Sequence, residues 1–427
     1  MAALTVFIIF LVLTFLGMPV AISLGASTMV FAMLLDVPLT VVAQSAYTGI
    51  DSFTFISIPL FVLVGNLMET GGLSKRLVAF ASSLFKRIPG KLGSIMVAAC
   101  AFFGAISGSA SATTASIGGM MVPEMIERKY PRGYAGALAA VAGTLGAMIP
   151  PSVVMIIYAL AAEVSVTDMF MAGFAPGIIM AIALIITNTI YAAYTKVDSA
   201  QPEDKVSFKE IGSTFWDAKW ALLTPVIILG GIYSGIFTAT ECAVIAAVYA
   251  FVVGKFIYGE LSWSAAVVAL KKTCKTVGGI LIIVAMAIAL GKLLTISQTT
   301  QMLQQWIMGI TNNPNVIMLF IIFIVFIAGM FIDSAPIILI ITPLFLPILK
   351  SMGVSPVHFG IVMTFGCMVA NVTPPVGINL YIAMGIADVD IVKIMKYTIP
   401  LLAIFMVVYV ILMFFPEVSL FLPNLLK

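Results

Sequence analysis

Charge is the scarcest commodity in this chain: Asp, Glu, Lys and Arg make up 9% of its 427 residues, where a soluble domain carries roughly 25%. That deficit excludes a water-solvated surface over most of the molecule. Histidine occurs once, at His358, and the four cysteines (Cys100, Cys242, Cys274 and Cys367) stand singly in or near apolar segments. No Cys-x-x-Cys or Cys/His grouping exists, which excludes a zinc site and makes disulfides unexpected. An intramembrane enzyme would need a nucleophile with its base, paired acids or metal ligands at membrane depth, and one histidine with scattered acids does not provide them.

What is abundant is hydrophobic, 62% of residues, in runs at 6–35, 56–68, 92–123, 135–162, 170–194, 222–253, 276–291, 316–332, 359–387 and 399–415. Each can cross or deeply enter a hydrocarbon core of roughly 30 Å, so the expected fold is an all-α polytopic membrane protein. The first run breaks at Gly17-Met-Pro19 and lacks a short apolar core with a small-residue cleavage site. It reads as two retained membrane helices, not as a signal peptide. Trp216, Trp220 and Trp263, beside charged segments, read as interfacial anchors.

The few cations are clustered. Placing Lys75-Arg76, Lys86-Arg87, Lys91, Arg128-Lys129, Arg132, Lys196, Lys205, Lys209, Lys219, Lys255, Lys271-Lys272, Lys275, Lys393 and Lys396 in the cytoplasm accounts for 18 of 21 Lys and Arg. Only Lys292, Lys350 and Lys427 remain outside, and both termini then face the periplasm, as the positive-inside rule asks. Lys91 and Arg128 fall on one side although the uncharged residues 92–123 separate them. A single helix of that length would measure roughly 48 Å, too long for one span and too short for two. A re-entrant hairpin at about 90–127 fits, with its tip near Ser107 to Ser111 in Gly104-Ala-Ile-Ser-Gly-Ser-Ala-Ser-Ala112. The polar segment 196–219 reads as a cytoplasmic linker between two halves, 1–195 and 220–427.

The halves resemble each other. A shift of 224 positions lays Pro123 on Pro347, Gly136 on Gly360, Pro150-Pro151 on Pro374-Pro375 and Ala159 on Ala383. It also sets the first tip opposite Gly329-Met-Phe-Ile-Asp-Ser-Ala-Pro336. A second hairpin, at about 316–349, is flanked by Asn312, Asn313, Asn315 and Lys350 and enters from the outer face, which makes the halves inverted-topology repeats. Each hairpin precedes an apolar segment (about 134–162 and 357–387) interrupted by Pro-Pro, and adjacent prolines in a spanning helix force an unwound break. Paired breaks in inverted halves point to a transporter's midplane binding site, which a channel or passive scaffold would not require.

Ser107-Gly-Ser-Ala-Ser-Ala112, Ile149-Pro-Pro-Ser152 with Ile157-Tyr158, Gly231-Ile-Tyr-Ser-Gly-Ile-Phe-Thr238 and Thr373-Pro-Pro-Val-Gly-Ile-Asn379 together resemble the large membrane subunit of tripartite ATP-independent periplasmic (TRAP) transporters, over essentially the whole chain. The resemblance implies a sodium-driven importer of elevator type in the bacterial inner membrane. It also implies a small four-helix membrane subunit, here as a separate chain, and a periplasmic binding protein that delivers an organic acid such as sialic acid or a C4-dicarboxylate. Two departures are Ala370, where the family often has Gly, and Thr238-Ala-Thr-Glu-Cys242 in place of Thr-Pro-Thr-Glu-Ala.

Unwound backbone beside hydroxyls supplies the hard oxygens that sodium needs. One ion is expected between Gly104, Ser107 and Ser109 and the break carrying Gly143, Gly146 and Pro150. A second is expected between Gly329 and Asp333 and the segment carrying Gly366, Met368 and Thr373. No cofactor or transition metal is expected. The tips and breaks contain no Lys or Arg, so an acidic substrate would meet half-helix N-termini, the bound cations and Ser109, Ser111, Thr113, Ser152, Asp333, Ser334 and Asn379.

Proton coupling, the alternative, has few titratable groups to use: Asp333, Glu241 and Glu69. Asp333 is the sole charge between Leu293 and Leu349, and it also suits the cap of a helix starting at Ser334. Glu241 reads as a buried acid joining two helices, and His358 as a structural ring at a helix start.

Overall fold

A computed structural model describes residues 2–85, 88–198 and 208–426. Lys86-Arg87, the Gln201–Lys205 part of the linker and Lys427 lie outside the described residues.

Lipid offers no hydrogen bonds to a peptide group, so a spanning chain must satisfy its backbone internally, and helices do so locally. Helix starts are set by side chains that take up orphan amides: Ser165, Thr238, Ser262, Ser355 and Asp390 each accept from the backbone N–H three residues on. Among the described residues, seven helices are long and apolar enough to span a bilayer. One further bent pair, Arg132–Met148 with Val153–Ala162, turns through 46° at its break.

The first hairpin runs up Lys91–Ser107 and returns over 110–127, which includes one wide turn at Thr114–Gly118. The first broken helix follows as Arg132–Gly143, Leu145–Met148 and Val153–Ala162, then the long span Val166–Thr195. In the second half the hairpin is Pro314–Gly329 with Ser334–Ser351, the broken helix is Pro356–Ala370 with Ile378–Ala387, and the span is Ile391–Phe414. Backbone detail recurs at the 224-residue shift. The peptide bonds Pro150-Pro151 and Pro374-Pro375 are both cis, and the left-handed turn at Lys129 reappears at Gly353.

Two groups of helices pack separately. A frame is built from Ala2–Phe15, Val20–Leu34, Leu39–Ile50, Ser57–Thr70, Leu73–Leu84, Phe208–Tyr233, Ala239–Val252 and Trp263–Ile296, with the last lying across the second, third and fourth. A central body holds both hairpins, both broken helices and the spans that follow them. Within it the halves interlock: Val153–Ala162 packs on Ser334–Ser351, and Ile378–Ala387 on Arg132–Gly143. The broken helices form its core, since every residue from Gly133 to Gly143 and from His358 to Ala370 is buried. Frame meets body where Trp263–Ile296 lies on Ser334–Ser351 and Leu73–Leu84 on Lys91–Ser107.

Three sequence expectations change. Residues 208–219 are the start of helix Phe208–Tyr233, with Lys219 stacked 3.3 Å over the Trp216 ring, so the latter part of the expected linker is not a loop. Glu241 is exposed, and its carboxylate closes a capping box with Thr238, accepting from the Thr238 N–H at 2.8 Å. It caps a helix and does not join two. Leu39–Ile50 and Thr299–Ile310 are helices that hydropathy alone passed over, because Thr, Gln and Ser dilute their apolar faces.

Candidate functional site

Gly108 ends the rising arm of the first hairpin in the left-handed conformation, φ +61°, and Ser109 caps the returning arm through its hydroxyl, which accepts from Ala112 N–H at 3.3 Å. A dense set of hydroxyls results. Ser107 Oγ lies 3.0 Å from Thr113 Oγ1, Ser109 Oγ lies 3.2 Å from Ser111 Oγ, and Thr113 donates to the Ser109 carbonyl at 2.8 Å.

The first break closes over this tip because it has no side chains in the way. A Cβ on Gly104 would stand 2.9 Å from Gly146 Cα, one on Gly146 would collide with Thr113 Oγ1, and one on Gly143 with Thr114 Oγ1. The Val153 N–H donates to the Gly108 carbonyl at 3.2 Å, joining break to tip. Ser152 caps the half-helix beyond Pro150-Pro151 and donates to Ala147 O at 2.6 Å.

At the second tip Asp333 caps Ser334–Ser351, its Oδ1 accepting from Ser334 N–H at 2.7 Å. Asn371, in the second break, donates from Nδ2 to Ser334 Oγ at 3.3 Å, and Val376 N–H donates to Met330 O at 2.9 Å. Thr373 turns inward to Val369 O at 2.8 Å. Gly329 fits against Ala370, and Gly366 against Tyr409 and Val325. Asn379 donates weakly to Ala140 O at 3.5 Å, while its buried Oδ1 has no hydrogen-bond partner among the described residues.

Both tips and both breaks border one cavity of about 660 Å³ between body and frame. Of the sequence-selected residues, Ser107, Ser109, Ser111, Asp333, Ser334, Met368 and Asn379 line it. Gly104, Gly143, Gly146 and Pro150 stand behind the first tip, and Gly329, Gly366 and Thr373 behind the second; none of them lines the cavity. Thr113 and Ser152 are buried with their hydroxyls already bonded, so neither faces the cavity as a substrate contact would. Sequence reasoning missed Asn371, and missed the frame's contribution: Asn66 and Lys272 also line the cavity. Asn66 donates to Thr273 Oγ1 at 2.9 Å, and Lys272 pairs with Glu69 at 2.7 Å. An Asn in an apolar helix was the available signal for Asn66.

The site can supply hydroxyl and carbonyl oxygens to a cation at the first tip, a carboxylate as well at the second, and one helix start without a side-chain cap, at Ile378, and one ammonium to an anion. Its rigidity comes from elsewhere. Asn188 donates to Gly90 O at 2.7 Å and Ser94 Oγ at 2.9 Å, and accepts from Tyr134 OH at 3.0 Å, which pins the base of the first hairpin to its broken helix.

Comparison with known proteins agrees with this architecture. The Alcanivorax borkumensis YdaH transporter shares the fold with a TM-score of 0.64 at 16% identity, over 89% of each chain. The Neisseria gonorrhoeae efflux pump MtrF gives 0.60 at 17% identity, over 88% of this chain and 84% of its own. In sequence the chain is 37% identical to the isethionate TRAP transporter permease DctMQ of Oleidesulfovibrio alaskensis, over 97% of its own length but 65% of that relative's. It is 37% identical to the C4-dicarboxylate large permease DctM of Pseudomonas aeruginosa, over 88% and 87% of the two chains. The sialic acid large permease SiaM of Vibrio cholerae is 34% identical, over 97% and 96%. The family model described as the tripartite ATP-independent periplasmic transporter DctM component matches residues 7–418, and the chain belongs to that family of membrane permeases.

Proposed function

We propose that the protein is the translocating permease of a sodium-coupled importer of a small organic acid, of the sialic acid or C4-dicarboxylate class, in the bacterial inner membrane. The supporting observation is the meeting of both hairpin tips and both breaks at one cavity lined by Ser107, Ser109, Ser111, Asp333, Asn371 and Asn379. Sodium takes hard oxygens at two places, at the Ser107–Ser109 tip and near Asp333, and the substrate anion lies between them. The body carries this load past the frame in an elevator movement, with the first hairpin opening to the cytoplasm and the second to the periplasm. Both termini are periplasmic in this arrangement. A periplasmic binding protein delivers the anion, and a small membrane subunit, as a separate chain, braces the frame. The isethionate relative, of which the chain spans 65%, is longer, and co-purification would decide whether the small subunit is a separate chain here.

Reconstitution with the binding protein and small subunit tests this. Labelled succinate or N-acetylneuraminate should accumulate under an inward sodium gradient and not in choline. Accumulation driven equally well by a pH gradient without sodium would favour proton coupling through Asp333, the one carboxylate lining the cavity.

A further inference from the structure

An organic acid entering this cavity needs a positive group, and neither hairpin tip nor break has one. The frame does. Lys272 is the single Lys or Arg among the described residues lining the cavity, on the long helix Trp263–Ile296 that packs on the second hairpin. From Lys272 the lining continues along one helical stripe through Thr276, Gly279, Ile280 and Ile283, at the three- and four-residue spacing of a helix face. Space over Gly279 is open, as no heavy atom lies within 4 Å of where its Cβ would be. The stripe therefore runs from an ammonium group into a mostly apolar wall of the cavity that Ser109, Asp333 and Asn379 also line.

The ammonium has a resident partner. Lys272 Nζ lies 2.7 Å from Glu69 Oε2 on Ser57–Thr70, and the side chains are 52% and 31% exposed. Both side chains are partly exposed, so the pair is more readily exchanged than a fully buried one, whose separation would strand two charges. Beside this pair, Asn66 donates to Thr273 Oγ1 inside the frame, a bond between the same two helices that does not involve Lys272.

Building on the function proposed above, we propose that Lys272 is the frame's receptor for the anionic group of the substrate, held at the cavity mouth by Glu69 until a carboxylate or sulfonate displaces it. A bound acid would then bridge the two bodies, its charge on Lys272 and its remaining polar groups on Ser109, Asn371 and Asn379. Since Lys272 stays with the frame, this contact exists only where the cavity faces it, and it sets affinity in that state alone.

The test uses the complete transporter with its small subunit and binding protein. In proteoliposomes under a sodium gradient, Lys272→Gln should raise the half-saturating concentration of the transported anion (succinate, isethionate or N-acetylneuraminate) by about tenfold, the loss of one charge-assisted contact. Its maximal rate should fall less, and Lys272→Arg should restore most of the affinity. Glu69→Gln should leave affinity equal or higher, because it frees the ammonium. If Lys272→Gln and Glu69→Gln are equally harmful and the reversed pair Glu69→Lys with Lys272→Glu recovers both, the pair is a structural brace and the proposal is overturned. Thermal unfolding of the purified complex with each of the three anions separates this question from ion coupling. Stabilisation of the wild type that Lys272→Gln lacks supports the receptor even where uptake ignores sodium, an outcome that sinks only the coupling. If no anion stabilises the wild type more than Lys272→Gln, the assignment fails.

Discussion

Ser109 and Asp333 hold the same post in the two halves: each caps the returning arm of its hairpin, 224 positions apart, and each faces the shared cavity. One is a neutral hydroxyl and the other a carboxylate. A cation at the first tip must rely on carbonyls and hydroxyls, while one at the second can gain a full negative charge, so the two proposed sodium positions should differ in how much a single side chain matters.

Removing the charge at the second tip tests that difference. Asp333→Asn should cut sodium-driven uptake by about ten- to a hundredfold, the range for a lost hydrogen bond or contact to a charged group. Ser109→Ala should weaken sodium dependence by about tenfold or less, since neighbouring Ser107 and Ser111 oxygens remain. Sodium titrations of uptake that are unchanged in Asp333→Asn would remove the second position.

Close approach of the first tip to its break depends on paired glycines. Gly104→Ala places a methyl 2.9 Å from Gly146 Cα and 3.0 Å from Leu145 O, atoms of backbone that cannot swing aside. Overpacking of this kind costs about 1–3 kcal/mol, and the displaced tip should stop transport even in protein that still inserts. Thermal unfolding together with uptake in the same preparation checks both effects, and wild-type uptake by the variant would contradict the contact.

Asn188 offers a stability test remote from the cavity. Asn188→Ala strands the Gly90 carbonyl, Ser94 and the Tyr134 hydroxyl in a buried cluster, so a loss of about 2–4 kcal/mol is expected. Tyr134→Phe, which breaks one of those bonds and keeps the ring stacked on Tyr191, should lose about 1 kcal/mol. Melting temperatures that rank the two variants the other way would refute the hub.

His358 is expected to be structural. Its Nδ1 lies 2.8 Å from Ser419 Oγ, which joins the second broken helix to the helix Pro416–Leu425, and neither residue lines the cavity. His358→Gln should cost roughly 1 kcal/mol of stability and leave the pH profile of uptake unchanged. Loss of a pH-dependent phase would show that the ring takes part in coupling.

The sequence by itself determined the parts whose chemistry is local. Hydrocarbon as solvent dictated helices, Gly108 and the small residues around it dictated a chain reversal, and the two Pro-Pro pairs dictated breaks, because each acts on its own backbone within a few bonds. Tertiary structure decided what those parts face. Lys272 read as one more cytoplasmic cation until a helix crossing set it beside a cavity lined from other helices by residues about 60 to 250 positions away, and Asn66 and Asn371 came to the same place in the same manner. Glu241, expected inside, lies outside because its helix begins at Ala239 and its carboxylate turns back onto Thr238. Thr113 and Ser152 have suitable hydroxyls that are already engaged within the tip and break. A side chain's kind is written in the chain, but its partner depends on which helices cross, and that is settled by packing between segments far apart in sequence.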